Sequence, residues 1–415
     1  MSARNIPGNV PDPDELYGRT ELLAHIWQQI GGNNILLLAP RRFGKTGVMM
    51  HMVGRPQAGF LPIYFELEDV GTPQEFVWRL ARELLSRRPL HNLLAGARSL
   101  PRAIQDWAKQ TFDEIGFDEA KVKFKDAIAE DWRVHARRLL AELESADHTI
   151  IFILDELPAM LEKMSRDSGD RTARDFMAWF RSARIQHQQR LRRHRFVVGG
   201  SVGIDLILRR LNCIDKFNDF ERVYVQPISD DDTSQLITDQ CHTLQVELLP
   251  EARARLVALV GSNVPYFIHL FFSQIAQLPP SRRHPVSVDT IDQLYARQIL
   301  GPTCKSYFDH YRARLARYGK ASERAAIDML RAVASSPSGR ASSTELYTVF
   351  RRALRGRATE LQFRELLADL ECDWYLGLDP ATNEYHFILN IMKDFWHRWY
   401  GAPAVAGAPR RRRVK

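Results

Sequence analysis

The chain has 415 residues, 45% of them hydrophobic, enough at roughly 100–200 residues per domain for two to four domains with real cores. A peptide, a fibre or a mostly disordered chain is excluded. Lysine and arginine number 58 against 50 acidic residues, a net of +8, but Arg410, Arg411, Arg412, Arg413 and Lys415 supply five of these charges at the C-terminal end, and the remaining 53 against 50 leave only +3.

Residues 1–20 lack the apolar stretch of a secretion signal, and the longest apolar runs, near 150–154 and 264–272, fall far short of a membrane span. The four cysteines, Cys213, Cys241, Cys304 and Cys372, are widely spaced and have no C-x-x-C or neighbouring histidine pattern. The expectation is a soluble, cytoplasmic protein with reduced thiols.

The first apolar run, ILLL at 35–38, follows a polar, proline-rich leader. It is too short and continuous for a helix face and predicts a strand buried on both sides. It runs into APRRFGKT at 39–46, after which 47–53 can continue as a helix. LPIYFEL at 61–67 is the second expected strand; Thr72 then N-caps a helix to about 85, with Glu75 completing a capping box. Residues 86–147 are charge-rich and irregular, an expected insertion with a short strand at 122–124 and a helix near 132–144. IIFIL at 150–154 is a third strand and ends in Asp155 and Glu156. A long helix over about 171–192 precedes FVV at 196–198, which ends in Gly199, Gly200 and Ser201. Alternating strands and helices predict an α/β domain with a parallel sheet and helices on both faces.

Beyond 223–225 and Pro227 the strands stop. Helical stretches near 231–244, 251–260, 265–278 and 288–300, punctuated by Pro, Gly and Ser, predict a small helical domain. A third unit begins near 322, with helices at 323–334, 344–354 and 360–371, strands at 375–378 and 385–388 about a turn at 380–383, and a last helix at 391–400. Three helices and a hairpin predict a winged helix. The expected domains are 1–226, 227–305 and 320–400, then a flexible basic tail at 401–415 whose charge suits nucleic acid, acidic protein or anionic lipid, or simply solvent.

Gly44, Lys45 and Thr46, between a strand and a helix, form the sharpest motif. Backbone amides in such a loop converge on phosphate oxygens. Lys45 would reach the β and γ phosphates and the Thr46 hydroxyl would hold Mg²⁺. Ala39 stands where the pattern's first glycine belongs; if that position needs positive φ, alanine is strained there. Asp155 and Glu156 end a strand about 110 residues downstream. Phosphoryl transfer to water needs one carboxylate for the metal shell, assigned to Asp155, and a group to orient or deprotonate the water, assigned to Glu156. A strand-end acidic pair standing alone is also an ordinary solvated turn.

In order, from Tyr17 to about Leu278, these features resemble the AAA+ and STAND-type P-loop ATPases of prokaryotes, especially the archaeal-type ATPase family related to origin-recognition initiators. Tyr17, Gly18 and Arg19 resemble the family's entry motif, whose backbone lies against adenine, with one residue of spacing changed. Pro40, Arg41, Arg42, Phe43, Gly44, Lys45, Thr46 and Gly47 resemble its phosphate-binding loop, and 151–156 its Walker B strand. By resemblance Ser201, at a sensor-1 strand end, would sense the γ-phosphate; capping the next helix is an equal account of it. Gly261 to Pro265 resembles the G-x-P region through which a helical lid reaches the nucleotide, and the resemblance favours that reading over a plain helix stop followed by a proline-started helix. Arg209 and Arg210 resemble the paired arginines of many AAA+ proteins, while cations at a helix C-terminus also answer its dipole; Arg222 starts the next strand. The implied architecture is a P-loop sheet, a helical lid and a C-terminal winged helix; the implied ligands are ATP and Mg²⁺.

Charge bears on what the winged helix contacts. The helix at 360–371 sets Arg364 against Glu360, Glu365, Asp369 and Glu371, a net of −3 that phosphates would repel. Arg351, Arg352, Arg355 and Arg357 precede it against Glu345. Contact with protein fits this helix better than sequence readout, and non-specific DNA contact through those arginines and the tail stays open beside a solvated-face account. The expected function is an ATP-binding and ATP-hydrolysing regulatory switch with a protein partner and an open question of self-assembly. The alternatives are a DNA-associated initiator or loader and a nucleotide-bound scaffold without turnover.

Overall fold

A computed structural model describes residue 8 and residues 11–95, 131–190, 194–200, 203–356 and 358–401. Two compact units divide the chain between Ile228 and Ser229.

The first unit holds a five-stranded parallel sheet. Its elements in chain order are α1 (Thr20–Ile30), β1 (Asn34–Leu38), α2 (Lys45–Gly54), β2 (Phe60–Glu66), α3 (Pro73–Leu85), α4 (Arg88–Ala95), α5 (Trp132–Glu142), β3 (Thr149–Asp155), α6 (Leu157–Ser168), α7 (Asp170–Arg190), β4 (Arg195–Gly200), α8 (Ile204–Arg210) and β5 (Phe220–Tyr224). The sheet order is β2-β3-β4-β1-β5. Every residue of β1 is buried, as is all of β3 but Thr149, which is why their sequences read as unbroken apolar runs. The register aligns Leu38 with Gly200 and Glu66 with Asp155. It therefore gathers the start of the Ala39 loop, Asp155 and the two glycines ending β4 at the carboxyl edge of the sheet, where open α/β sheets bind ligands.

The strand and helix expectations hold to within a few residues, with differences that have causes. Thr72 accepts from the Glu75 amide at 3.2 Å, but Glu75 Oε2 accepts from the Gly71 amide at 2.9 Å, one residue before the N-cap that a closed box would use. The described ends of the 86–147 region are core rather than irregular: Leu90, Leu94, Trp132, Leu139 and Leu140 are buried. Trp132 packs edge-on to Trp179 at 5.0 Å, and Phe76 edge-on to Phe176 at 5.0 Å. The expected strand at 122–124 lies outside the described residues. Helix α6, not anticipated from sequence, follows directly on Glu156.

Arg184 on α7 is 1% exposed. It pairs in bidentate fashion with Asp219 at 2.9 and 2.9 Å, donates to the Lys216 carbonyl at 2.5 Å, and lies over Phe180 at 4.2 Å and Phe220 at 4.6 Å. A buried guanidinium needs this much compensation.

The second unit contains α9 (Asp230–Leu244), α10 (Pro250–Val260), α11 (Pro265–Ile275), α12 (Val288–Leu294), α13 (Ser306–Arg314), α14 (Lys320–Ser335), β6 (Arg340–Ser342), α15 (Ser343–Ala353), α16 (Glu360–Cys372), β7 (Leu376–Asp379), β8 (Glu384–Phe387) and α17 (Asn390–Tyr400). The three strands form an antiparallel sheet in the order β6-β8-β7; helices α14, α15 and α16 with this sheet make the winged helix. Closed capping boxes start α15 (Ser342 with Glu345) and α16 (Thr359 with Gln362). The helix expected at 288–300 instead passes at Tyr295 into a wider π-turn to Ile299.

Helix α17 belongs as much to the preceding helices as to the small sheet. Phe395 stacks on Phe308 at 4.7 Å, and Tyr295 donates to Asp394 at 2.9 Å. Trp399 Nε1 donates to the Leu300 carbonyl at 2.9 Å and Asn390 to the Ala258 carbonyl at 3.1 Å. All four cysteines are free. Among the described residues, no helix is long and apolar enough to cross a membrane.

Candidate active site

The loop between β1 and α2 shows where the glycine pattern matters. Ala39 is 2% exposed, donates its amide to the Gly200 carbonyl at 3.4 Å, and is not among the positive-φ residues. Alanine is therefore unstrained there. The left-handed positions are Arg42 (φ 74) and Gly44 (φ 86), and a non-glycine residue in that region costs about 1–2 kcal/mol. A Cβ at Gly44 would meet nothing within 4 Å, so the glycine is required by conformation rather than space. Helix α2 then begins at Lys45 without a side-chain cap, which leaves first-turn amides without intrahelical partners and available to an anion.

Two supports hold this loop. Arg19, 4% exposed, donates to the Phe43 carbonyl at 3.1 Å and the Gln226 carbonyl at 2.6 Å. Its guanidinium thus ties the loop to the segment following β5, whatever the backbone of Tyr17 and Gly18 contacts. The leader packs along the glycine face of α2: a Cβ at Gly47 would lie 3.1 Å from Leu16 and 3.2 Å from Pro11, and one at Gly54 only 2.8 Å from Pro13. His51 Nδ1 lies 2.9 Å from the Pro13 carbonyl oxygen.

Opposite the loop, Asp155 is 2% exposed and carries two donors on each oxygen. Oδ1 takes Lys45 Nζ at 3.1 Å and the Glu156 amide at 3.0 Å; Oδ2 takes Thr46 Oγ1 at 2.8 Å and the Tyr64 hydroxyl at 3.1 Å. Burial alone would push the Asp155 carboxyl up, but the charge of Lys45 and the hydrogen bonds from Thr46, Lys45 and the Glu156 amide outweigh it and hold the group below its ordinary value. Glu156 adopts φ 57, opens α6, and receives Lys45 Nζ at 3.2 Å. Lys45 is thus the shared counter-ion of both carboxylates.

Two residues of this site escaped the sequence reading. Tyr64 sits on β2, two residues before Glu66; only the sheet order, which sets β2 beside β3, reveals that its hydroxyl meets Asp155. Gly199 on β4 permits the contact that follows: a Cβ there would stand 2.4 Å from Asp155 Oδ1 and 2.5 Å from Met49 Cε. Its signal in the sequence was a strand ending in two glycines.

The remaining expected residues are placed as follows. Ser201 and Arg357, like residues 402–415, lie outside the described set. Helix α8 starts beside Gly200, whose added Cβ would meet Ile204 at 3.5 Å, and runs for about 10 Å at 1.5 Å per residue to Arg209 and Arg210 at its far end. Arg210 donates to Ser165 at 3.1 Å. Arg222 forms a bidentate pair with Asp205 at 2.7 and 2.8 Å. In the second unit, Gly261 (φ 83) ends α10 and Pro265 begins α11; a Cβ at Gly261 would lie 2.6 Å from the Asn390 amide nitrogen. That glycine is thereby required for α10 to meet α17.

The donor set fits a magnesium nucleotide. Thr46 and Asp155 offer two hard oxygens side by side, and Mg²⁺ commonly takes one or two protein ligands with phosphates and water completing its shell. Among the described residues, no group of three or more His, Cys, Asp or Glu is arranged to hold a metal without such help.

No family model and no curated protein matches the chain. Among solved structures it is similar to the Walker-type ATPase PABY2304 of Pyrococcus abyssi, with TM-score 0.57 and 14% identity over 92% of this chain and 97% of that one. It is also similar to the Aeropyrum pernix ORC2 protein, described in ADPNP–ADP complexes, with TM-score 0.55 and 11% identity over 95% of this chain and 97% of that one. The fold is therefore the one these two structures share, a P-loop parallel sheet followed by a helical region and a winged-helix-like sheet.

Proposed function

We propose that the protein is an ATP-binding and ATP-hydrolysing regulatory switch of the AAA+/STAND type. The observation that carries this reading is Lys45 held between Asp155 and Glu156 beside a Thr46–Asp155 hydrogen bond, behind a loop whose amides open a helix. Both carboxylates pair with Lys45. A triphosphate offers the same ammonium a stronger anion, so Lys45 moves to the phosphates and leaves both carboxylates for other work. Mg²⁺, held by Thr46 and Asp155, supplies neutralisation of phosphate charge when bound. Glu156, partly exposed at the mouth of the pair, orients a water and accepts its proton.

We read 1–226 as the ATPase domain, 227–305 as a lid and 320–400 as a winged helix. The contacts of α17 with Ala258, Tyr295, Leu300 and Phe308 support a switch in which lid and winged helix travel together, and a protein partner acts by preferring one nucleotide state. The test is ATP hydrolysis as a function of protein concentration, with Glu156→Gln as the blank. Activity in the wild type and none in the variant is the expected result. Specific activity that rises with concentration indicates a residue supplied by a neighbouring copy, the role for which Arg209 and Arg210 are candidates. Wild type equal to the variant at every concentration overturns hydrolysis and leaves a nucleotide-held scaffold.

A second reading, a DNA-associated initiator or loader, draws on the exposure of Arg351, Arg352 and Arg355 at the end of α15. Its test is salt-dependent DNA binding that falls when the three are replaced by alanine.

A further inference from the structure

We propose that Tyr64 is a positioning residue of the nucleotide site, orienting the Asp155 carboxylate for the metal from behind. The inference rests on the nucleotide-binding reading above and adds to it a residue that neither motif contains.

Asp155 Oδ1 accepts from Lys45 and the Glu156 amide, and Oδ2 from Thr46 and Tyr64. A phosphate would compete with Asp155 for the Lys45 ammonium, and a cation would take a lone pair of the Thr46 oxygen, whose proton can still be donated to Oδ2. Of the side-chain donors on Asp155, Tyr64 is thus the one with no part in holding nucleotide or cation, and it restrains the rotation of the carboxylate as groups behind metal ligands generally do.

The strand geometry explains how Tyr64 comes to be there. In the β2–β3 register Glu66 lies beside Asp155 and Tyr64 beside Ile153. Tyr64 and Glu66 share one face of β2, since strand side chains alternate, so Tyr64 approaches Asp155 from two residues back, a span that a long aromatic side chain can bridge. Its neighbours Ile63 and Phe65 are buried on the other face. A structural account is also available, in which the hydroxyl merely finds an acceptor for a half-buried phenol.

Tyr64→Phe separates the two. The readouts are Mn²⁺ binding to the nucleotide-loaded protein by electron paramagnetic resonance, the Mg²⁺ midpoint for retention of a fluorescent ADP analogue, and affinity for that analogue in EDTA. The expected result is a divalent-cation midpoint raised about tenfold, in the range usual for such supporting groups, with EDTA affinity and thermal midpoint unchanged. Cation midpoints equal to wild type overturn the proposal. So does an equal loss of affinity with and without the cation, which marks a structural residue. Should the Tyr64→Phe substitution unsettle the fold, Glu66→Gln with Tyr64 intact serves as the comparison: a variant on the same strand face that shifts the cation midpoint as much as Tyr64→Phe also overturns it. If the wild type itself retains no nucleotide, the reading of the site fails first and this proposal with it; if the wild type binds and only Tyr64→Phe is silent, Tyr64 alone is refuted.

Discussion

Replacing Gly199 by alanine should damage the site while the same replacement one residue later should not. The new Cβ at 199 would stand 2.4 Å from Asp155 Oδ1, 2.5 Å from Met49 Cε and 3.3 Å from Asp155 Cα. Met49 Cε is the end of a flexible side chain and can retreat. Asp155 Oδ1 cannot retreat freely, because Lys45 and the Glu156 amide hold it at 3.1 and 3.0 Å. Overpacking of this kind costs about 1–3 kcal/mol, against a gain of about 0.4–1 kcal/mol from the less flexible unfolded chain, for a net loss of about 1–2 kcal/mol. Turning the carboxylate away also weakens its bond to Thr46, and a bond to a charged group contributes about 1.5–3 kcal/mol, so affinity for the magnesium nucleotide falls by about tenfold to a hundredfold. At Gly200 the added Cβ meets Ile204 and Leu38 at 3.5 Å, an ordinary contact, and Gly200→Ala should be neutral or slightly stabilising. The assay is nucleotide titration with and without Mg²⁺, alongside denaturant unfolding of each variant. Equal stability and affinity in the two alanine variants would refute the packing argument.

Three further outcomes follow from particular contacts. Arg184→Met strands the Asp219 carboxylate, and chemical denaturation should show a loss of about 3–5 kcal/mol, partly recovered in the double variant with Asp219→Asn. Gly261→Ala combines positive φ with a 2.6 Å approach to the Asn390 nitrogen; it should lower stability by about 2 kcal/mol or more in the second unit, leaving nucleotide affinity of the isolated first unit's site as the unchanged control. Burial pushes His269 down to about 4. Because the folded state favours the neutral ring, the unfolded chain binds the extra proton first: this stabilisation is complete above about pH 6.5 and is lost as the pH falls towards 4, to the extent of about 3 kcal/mol. Unfolding measurements across that window should show the stability of the wild type falling towards low pH by this amount relative to His269→Gln, which does not titrate there.

What the sequence made legible was whatever local chemistry dictates. Ile35 to Leu38 and Ile150 to Leu154 are apolar without interruption because their strands are buried on both faces, and Lys45 and Thr46 at a helix start, with Asp155 and Glu156 at a strand end, stand where a phosphate site needs them. What escaped depends on partners distant in the chain. Tyr64 gains meaning from the adjacency of β2 and β3, Gly199 from the depth of Asp155, and Gly261 from Asn390, more than a hundred residues later. Arg42 stood in the loop motif with no role of its own, yet its backbone takes the left-handed turn that the glycine pattern raised for position 39. The three-residue strand β6 is too short and polar to carry a periodic signal, and α6 hid behind Leu157 and Pro158, which resemble a loop until Glu156 turns the chain into a helix.

The interlock around α17 also determines how force would pass through the second unit. A partner gripping the exposed side of α16, where Glu360, Leu361, Arg364 and Glu365 face solvent, takes hold of a handle geared to the helices at Ala258, Leu300 and Phe308 through the small sheet and α17. Stacked rings and direct hydrogen bonds to carbonyls have little slack, so a pull at one end arrives nearly whole at the other. Loosening that gearing, for instance at Trp399 or Phe395, should leave the grip on α16 intact while disconnecting it from the helices at Ala258, Leu300 and Phe308.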